Sequence, residues 1–140
     1  MDEAGSGMPK HGEFCWTEVA TGDLGTAMNF YRNVFGWKFK ENNSTGEGMR
    51  YEEYSGADGG YPMGGMYQVA DVPCGDAPPP PPHFMNYITV DDCDATAARA
   101  AEIGGTVMTG PMDIPNVGRM AVIRDPAGAA FAIITLGGGA

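Results

Sequence analysis

Few side chains in this sequence are equipped for chemistry beyond packing. Of 140 residues only two are histidine, His11 and His83, and three are cysteine, Cys15, Cys74 and Cys93. The cysteines are odd in number and show no Cys-x-x-Cys spacing. That argues against a disulfide framework and against a zinc ribbon, whose four ligands come as close pairs. They read as reduced thiols of a cytoplasmic protein. Carboxylates are plentiful: Asp+Glu 18 against Lys+Arg 8 gives a net charge of −10. So acidic a chain lacks the clustered basic side chains that grip phosphate backbones, which excludes nucleic acid and anionic membranes as partners. A cationic ligand would be attracted instead. No apolar run approaches the roughly 20 residues of a transmembrane helix, and the first residues lack the basic and apolar regions of a signal peptide.

These groups must be positioned by strands and two short helices. Residues 13–20 are rich in β-formers and read as a strand. Asp23 is a plausible N-cap for a helix whose Ala27, Phe30, Tyr31, Val34 and Phe35 recur at helical spacing, and Gly36 ends it. Residues 37–41 and 49–54 read as strands joined by a polar turn over 42–46, and 62–69 as a fourth strand loosened by Gly64 and Gly65. Residues 70–83, with five consecutive prolines from Pro78 to Pro82, can be neither helix nor central strand and read as a stiff linker. A docking motif for a partner's aromatic groove is the alternative.

After the linker the first pattern returns. Residues 84–90 form a strand, Asp94 caps an Ala-rich helix over 95–103, and strands follow over 106–109, 119–124 and 130–136. A turn-rich loop over 112–118 and a β-turn at Asp125-Pro126-Ala127-Gly128 separate them. Val19 matches Val90, Thr26 matches Thr96, Gly36 matches Gly105 and Gly48 matches Gly118, all 69 to 71 residues apart. The chain is therefore a duplicated βαβββ unit. A disordered tail occupies 1–11, the first module 12–69, the linker 70–83, the second module 84–136 and a flexible tail 137–140.

The residues Asp23-Leu24, Phe30-Tyr31 and Phe35-Gly36-Trp37 in the first half resemble the vicinal oxygen chelate superfamily of glyoxalases, bleomycin-resistance proteins and extradiol dioxygenases. So do Tyr87-Ile88-Thr89-Val90-Asp91-Asp92, Gly118-Arg119-Met120-Ala121 and Asp125-Pro126-Ala127-Gly128 in the second. The resemblance implies an α+β fold in which two βαβββ modules form a half-open, curled mixed sheet around a cavity, and a homodimer. It also implies a divalent metal held by side chains from the first and last strand of each module. Those positions fall on Trp16, Met66, Met85 and Ala132, which cannot bind a hard or borderline cation. A slip of two residues along each strand brings only Glu18, Gln68 and His83. No metal and no other cofactor is therefore expected.

Strand alternation places Phe14, Trp16 and Glu18 on one face, and His83, Met85, Tyr87 and Thr89 on one face of the fifth strand. Arg50 or Glu52 could contribute from the third strand. Trp16, Met66 and Met85 are expected to line a cavity for a small, partly apolar molecule, with Glu18 and Tyr87 as orienting groups. Core filling by the same side chains is the alternative. Two functions compete: sequestration or carriage of a small ligand, for which the acidic charge favours a cation, and proton-transfer catalysis by a lyase, isomerase or epimerase. In the second, Glu18 is the general base and Tyr87 or His83 the acid. A metal-dependent glyoxalase or dioxygenase is the third choice.

Overall fold

The computed structural model describes residues 8–42, 49–72 and 75–137. The expected turn after Asn42, the Gly48 match, Cys74 and the outermost tails lie outside the described residues. Eight strands and two α-helices follow in the order β1 (Phe14–Thr21), α1 (Leu24–Phe35), β2 (Lys38–Glu41), β3 (Glu52–Gly56), β4 (Gly59–Gln68), β5 (His83–Thr89), α2 (Cys93–Glu102), β6 (Thr106–Ile114), β7 (Gly118–Arg124) and β8 (Ala130–Leu136) among those residues. The fold class is α+β, with βαβββ occurring twice. Among the described residues no helix is long and apolar enough to cross a membrane.

Two compact units divide the chain, residues 16–86 and residues 1–15 with 87–140. In the first, the strands run β2-β3-β4-β1. β1 and β4 are parallel, with Val19 opposite Met66, while β3 is antiparallel to both β2 and β4. Helix α1 starts where Asp23 accepts the Thr26 N–H at 3.0 Å, leaving one fewer orphan donor in the first turn. It stops at Gly36, whose φ of 74° is the left-handed conformation a side chain resists. Its buried face is centred on Leu24 and Met28, with Ala27 and Tyr31 beside them. Phe30, Val34 and Phe35, expected on that face, stay more than half exposed. The core of the unit is completed by Val19, Tyr54 and Met66, with Trp37 stacked on Tyr54 at 4.3 Å between ring centroids.

In the second unit β5 pairs with β8 in parallel, and β8, β7 and β6 continue antiparallel. Glycine and glutamate ahead of β1 join it: the Gly12 N–H donates to the Thr89 carbonyl, and the Thr89 N–H to that of Glu13. The core is Val90, Cys93, Ala97, Ala121, Ile123 and Ile133. Helix α2 begins earlier than expected, because Asp92 rather than Asp94 is the cap and accepts the Ala95 N–H at 3.0 Å. Asp94 is thereby placed in the first turn, where Arg119 Nε donates to it at 2.9 Å. Strand β6 runs through Ile114 rather than stopping at Thr109, since two register shifts against β7 absorb the irregular residues between Val107 and Met112. Asp125 forms the expected turn, its carbonyl accepting the Gly128 N–H at 3.0 Å. Of the described thiols, Cys93 is buried in the core and Cys15 is half-buried.

Candidate functional site

The sheet of unit 16–86 has two faces with different contents. Val19, Tyr54 and Met66 point to α1 and form the core. Because side chains alternate, Trp16 and Glu18 on β1 point to the other face. The register carries that face across the sheet: Glu18 lies opposite Gly65, Gly65 opposite Glu53, and Glu53 opposite Lys40.

Two adjacent glycines make the arrangement possible. A Cβ on Gly64 would strike the Thr17 carbonyl and the Tyr54 hydroxyl, and one on Gly65 would strike the ring of Tyr51. Each glycine thus leaves its face open to one tyrosine. Tyr54 crosses Gly64 on the helix side and donates to the Thr17 carbonyl at 2.6 Å. Tyr51 crosses Gly65 on the opposite side and reaches the first strand.

There Trp16 Nε1–H donates to Tyr51 Oη at 2.9 Å, and Tyr51 Oη–H donates to Glu18 Oε2 at 2.8 Å. Indole N–H is only a donor, so the phenol oxygen must accept from it, and the phenol proton points to the carboxylate. Glu18 Oε2 is thereby the acceptor at the end of the chain. Tyr51 is buried and stacks on Tyr67 at 6.3 Å, while Trp16 and Glu18 are half-buried. Burial, reinforced by the Glu18 charge, pushes the Tyr67 phenol up to about 12; the same two causes, in the same order, act on Tyr54, also at about 12.

The remaining expected residues fall in several places. Met85 belongs to this unit, and its neighbour Asn86 accepts the Thr17 hydroxyl at 2.7 Å. Asn86 therefore shares the face of Thr17, and alternation turns Met85 and His83 to the face of Trp16 and Glu18. His83 donates through Nδ1 to the Pro81 carbonyl at 2.8 Å. Met66 does not line this face, contrary to expectation. Its pairing with Val19 commits it to the helix side, where it is fully buried. Arg50 and Glu52, 2.8 Å apart as an ion pair, also depart from expectation, since Glu52 lies opposite Met66. Tyr51, immediately ahead of β3, and Glu53 within it stand on that face instead. Tyr87 is buried in the other unit, opposite Ala132.

The donors do not suit the divalent metal that the fold family implies. Trp16, Met66, Met85 and Ala132 offer no hard ligand. Of the substitutes, Gln68 Oε1 already accepts the Leu24 N–H at 3.0 Å, and its parity with Met66 turns it away from Glu18. No group of three His, Cys, Asp or Glu side chains among the described residues could hold a metal ion.

The chain belongs to the Glyoxalase/Bleomycin resistance protein/Dioxygenase superfamily, whose family model matches residues 14–133. It is 38% identical over 125 residues to the "Putative glyoxylase CFP32" of Mycobacterium tuberculosis, an alignment covering 88% of this chain and 44% of the relative. It is 34% identical over 125 residues to the anthracycline biosynthesis protein DnrV of Streptomyces peucetius, covering 84% of this chain and 45% of that one. The chain thus spans less than half the length of these relatives. Among solved structures, a methylmalonyl-CoA epimerase in complex with methylmalonyl-CoA and NH4+ superposes with a TM-score of 0.61 at 18% identity. The superposition covers 93% of this chain and 98% of the epimerase. The Mycobacterium tuberculosis methylmalonyl-CoA epimerase gives 0.56 at 16% identity, over 89% and 87% of the two chains. At such identities the likeness is one of fold.

Proposed function

We propose that this protein binds a small, largely planar and partly apolar molecule against Trp16, Tyr51, Tyr67 and Met85, with Glu18 anchoring its proton-donating or cationic group. The hydrogen-bond chain from Trp16 through Tyr51 to Glu18 carries this reading. It fixes one carboxylate beside aromatic faces, a combination suited to a flat ligand bearing an ammonium or hydroxyl group. The net charge of −10 favours approach of a cation. The relation to anthracycline biosynthesis proteins supplies a probe of this shape, an anthracycline carrying an amino sugar. Trp37→Phe leaves Trp16 as the sole tryptophan. Saturable quenching of Trp16 by the anthracycline, weakened about tenfold or more by Glu18→Gln, is the expected result. Absence of any saturable change would overturn the proposal.

A second reading is favoured by the direction of the same chain. With the phenol proton pointing at Glu18, the carboxylate is oriented to take a proton from an acidic C–H, whose electron pair would delocalise into an adjacent carbonyl before reprotonation. Solved structures of similar fold include methylmalonyl-CoA epimerases. Incubation with methylmalonyl-CoA in deuterium oxide tests it. Deuterium entering the substrate, and failing to enter with Glu18→Gln, supports proton transfer; no incorporation by the unaltered protein overturns it for this substrate.

A further inference from the structure

The sequence contains three lysines, Lys10, Lys38 and Lys40, and two of them stand two apart on the four-residue strand β2. Alternation puts both on one face, and Lys40 opposite Glu53 makes that the face of Glu18. They line a half-open hollow of about 130 Å³, together with Glu53, Ser55, Gly60 and Pro62. Asn42 Nδ2 donates to the Glu53 carboxylate at 2.7 Å, so that anion is held by an amide. Neither lysine has an ion-pair partner among the described residues, whereas Arg50, Arg99 and Arg119 are each paired. The hollow's charged side chains are thus two cations and one anion, in a chain of net charge −10.

We infer that Lys38 and Lys40 form an anion subsite that receives a phosphate- or carboxylate-bearing end of the ligand. This rests on the reading of the Glu18 face given above and extends it to the ligand's length. Glu18 and Lys40 are separated by three strand spacings, β1 to β4 to β3 to β2, or about 14 Å at about 4.8 Å each. A ligand satisfying both ends is therefore elongated, with its planar part beside Trp16 and Tyr51 and its anion at the sheet edge. Lysines on an edge strand also discourage pairing with other chains. That role requires only charge at the edge and leaves unexplained why both lysines share a hollow.

The test is titration of isotopically labelled protein with inorganic pyrophosphate, and separately with citrate, followed by amide chemical shifts. Saturable shifts centred on residues 38–40, 53–55 and 60 are expected. Their affinity should fall about tenfold or more in Lys38→Gln/Lys40→Gln and return in Lys38→Arg/Lys40→Arg. The stronger of the two probes identifies phosphate or carboxylate as the preferred group. Shifts that do not saturate, that centre elsewhere, or that persist unchanged in the double Gln variant overturn the subsite. Glu18→Gln should leave the pyrophosphate response intact. A failed pyrophosphate titration with normal Trp16 quenching rejects this subsite alone, whereas failed quenching with intact pyrophosphate binding rejects the Glu18 reading and the elongated ligand with it.

Discussion

Trp16 and Tyr51 are 35 positions apart in sequence and meet in a 2.9 Å hydrogen bond whose direction is set by chemistry, because the indole nitrogen can only donate. That contact settles where the phenol proton goes, and it goes to Glu18. Tyr51→Phe removes one acceptor and one donor while keeping the ring that covers Gly65. The part-buried indole N–H then loses its acceptor, at a cost of about 1–3 kcal/mol. Chemical denaturation should read that loss, and ligand affinity at Trp16 should fall with it. A Tyr51→Phe protein as stable and as strongly quenched as the parent would show that the chain orients nothing.

Gly64 and Gly65 should differ in how they fail. An added methyl at Gly64 meets the Thr17 carbonyl, a backbone atom of the neighbouring strand that cannot yield without parting β1 from β4. At Gly65 it meets the Tyr51 side chain. Gly65→Ala should therefore cost about 1–3 kcal/mol, as overpacking does, and abolish the site by displacing Tyr51. Gly64→Ala should be the more destabilising of the two in a thermal melt. The reverse order would mean that Tyr51 is less free to move than the strand backbone.

Asp23 offers a test of the helix start. Its carboxyl is held below the ordinary range by hydrogen bonds from the Thr26 backbone and side chain. A group depressed in the folded state adds stability that is present above its unfolded pKa and fades as pH falls through the folded one. Asp23→Ala should lower Tm at neutral pH, and the difference from the parent should shrink below pH of about 4. Asp23→Ser, which caps without charge, should restore most of the neutral-pH stability and lose that acid dependence.

The two helices and the repeat were legible because their signals are local. Asp23, Gly36 and the return of the pattern about 70 residues later are set by caps and spacing within each segment. That Trp16 and Glu18 share a face was legible for the same reason, since alternation alone puts them together. The rest depends on register between strands, which no single segment encodes. Starting β3 at Met49 offered Arg50 and Glu52 to the site, yet Glu52 lies opposite Met66 on the helix side. Position along the strand alone offers Met66 to the cavity, and only its pairing with Val19 reveals the face it occupies. One signal was available: two adjacent glycines in β4 leave room on both faces, and Tyr51 and Tyr54 have opposite parity. Such a pair of vacancies invites one ring to each side.

The phenols give a pH test that ties the site to stability. Tyr54 and Tyr67 are each raised to about 12, by burial first and the Glu18 charge second, against an ordinary value of 10.0. Between those values the unfolded chain has released both protons while the folded protein retains them. Stability therefore falls as pH rises through that window, and the contribution is fully present below it. Tyrosinate absorbance should show Tyr54 and Tyr67 ionising above the ordinary phenol value of 10.0. Glu18→Gln removes the charge and leaves the burial, so it should lower the late step without bringing it to the ordinary value. An unchanged late step would detach Glu18 from the rings, and a step lowered fully would mean that charge, and not burial, holds those protons in place.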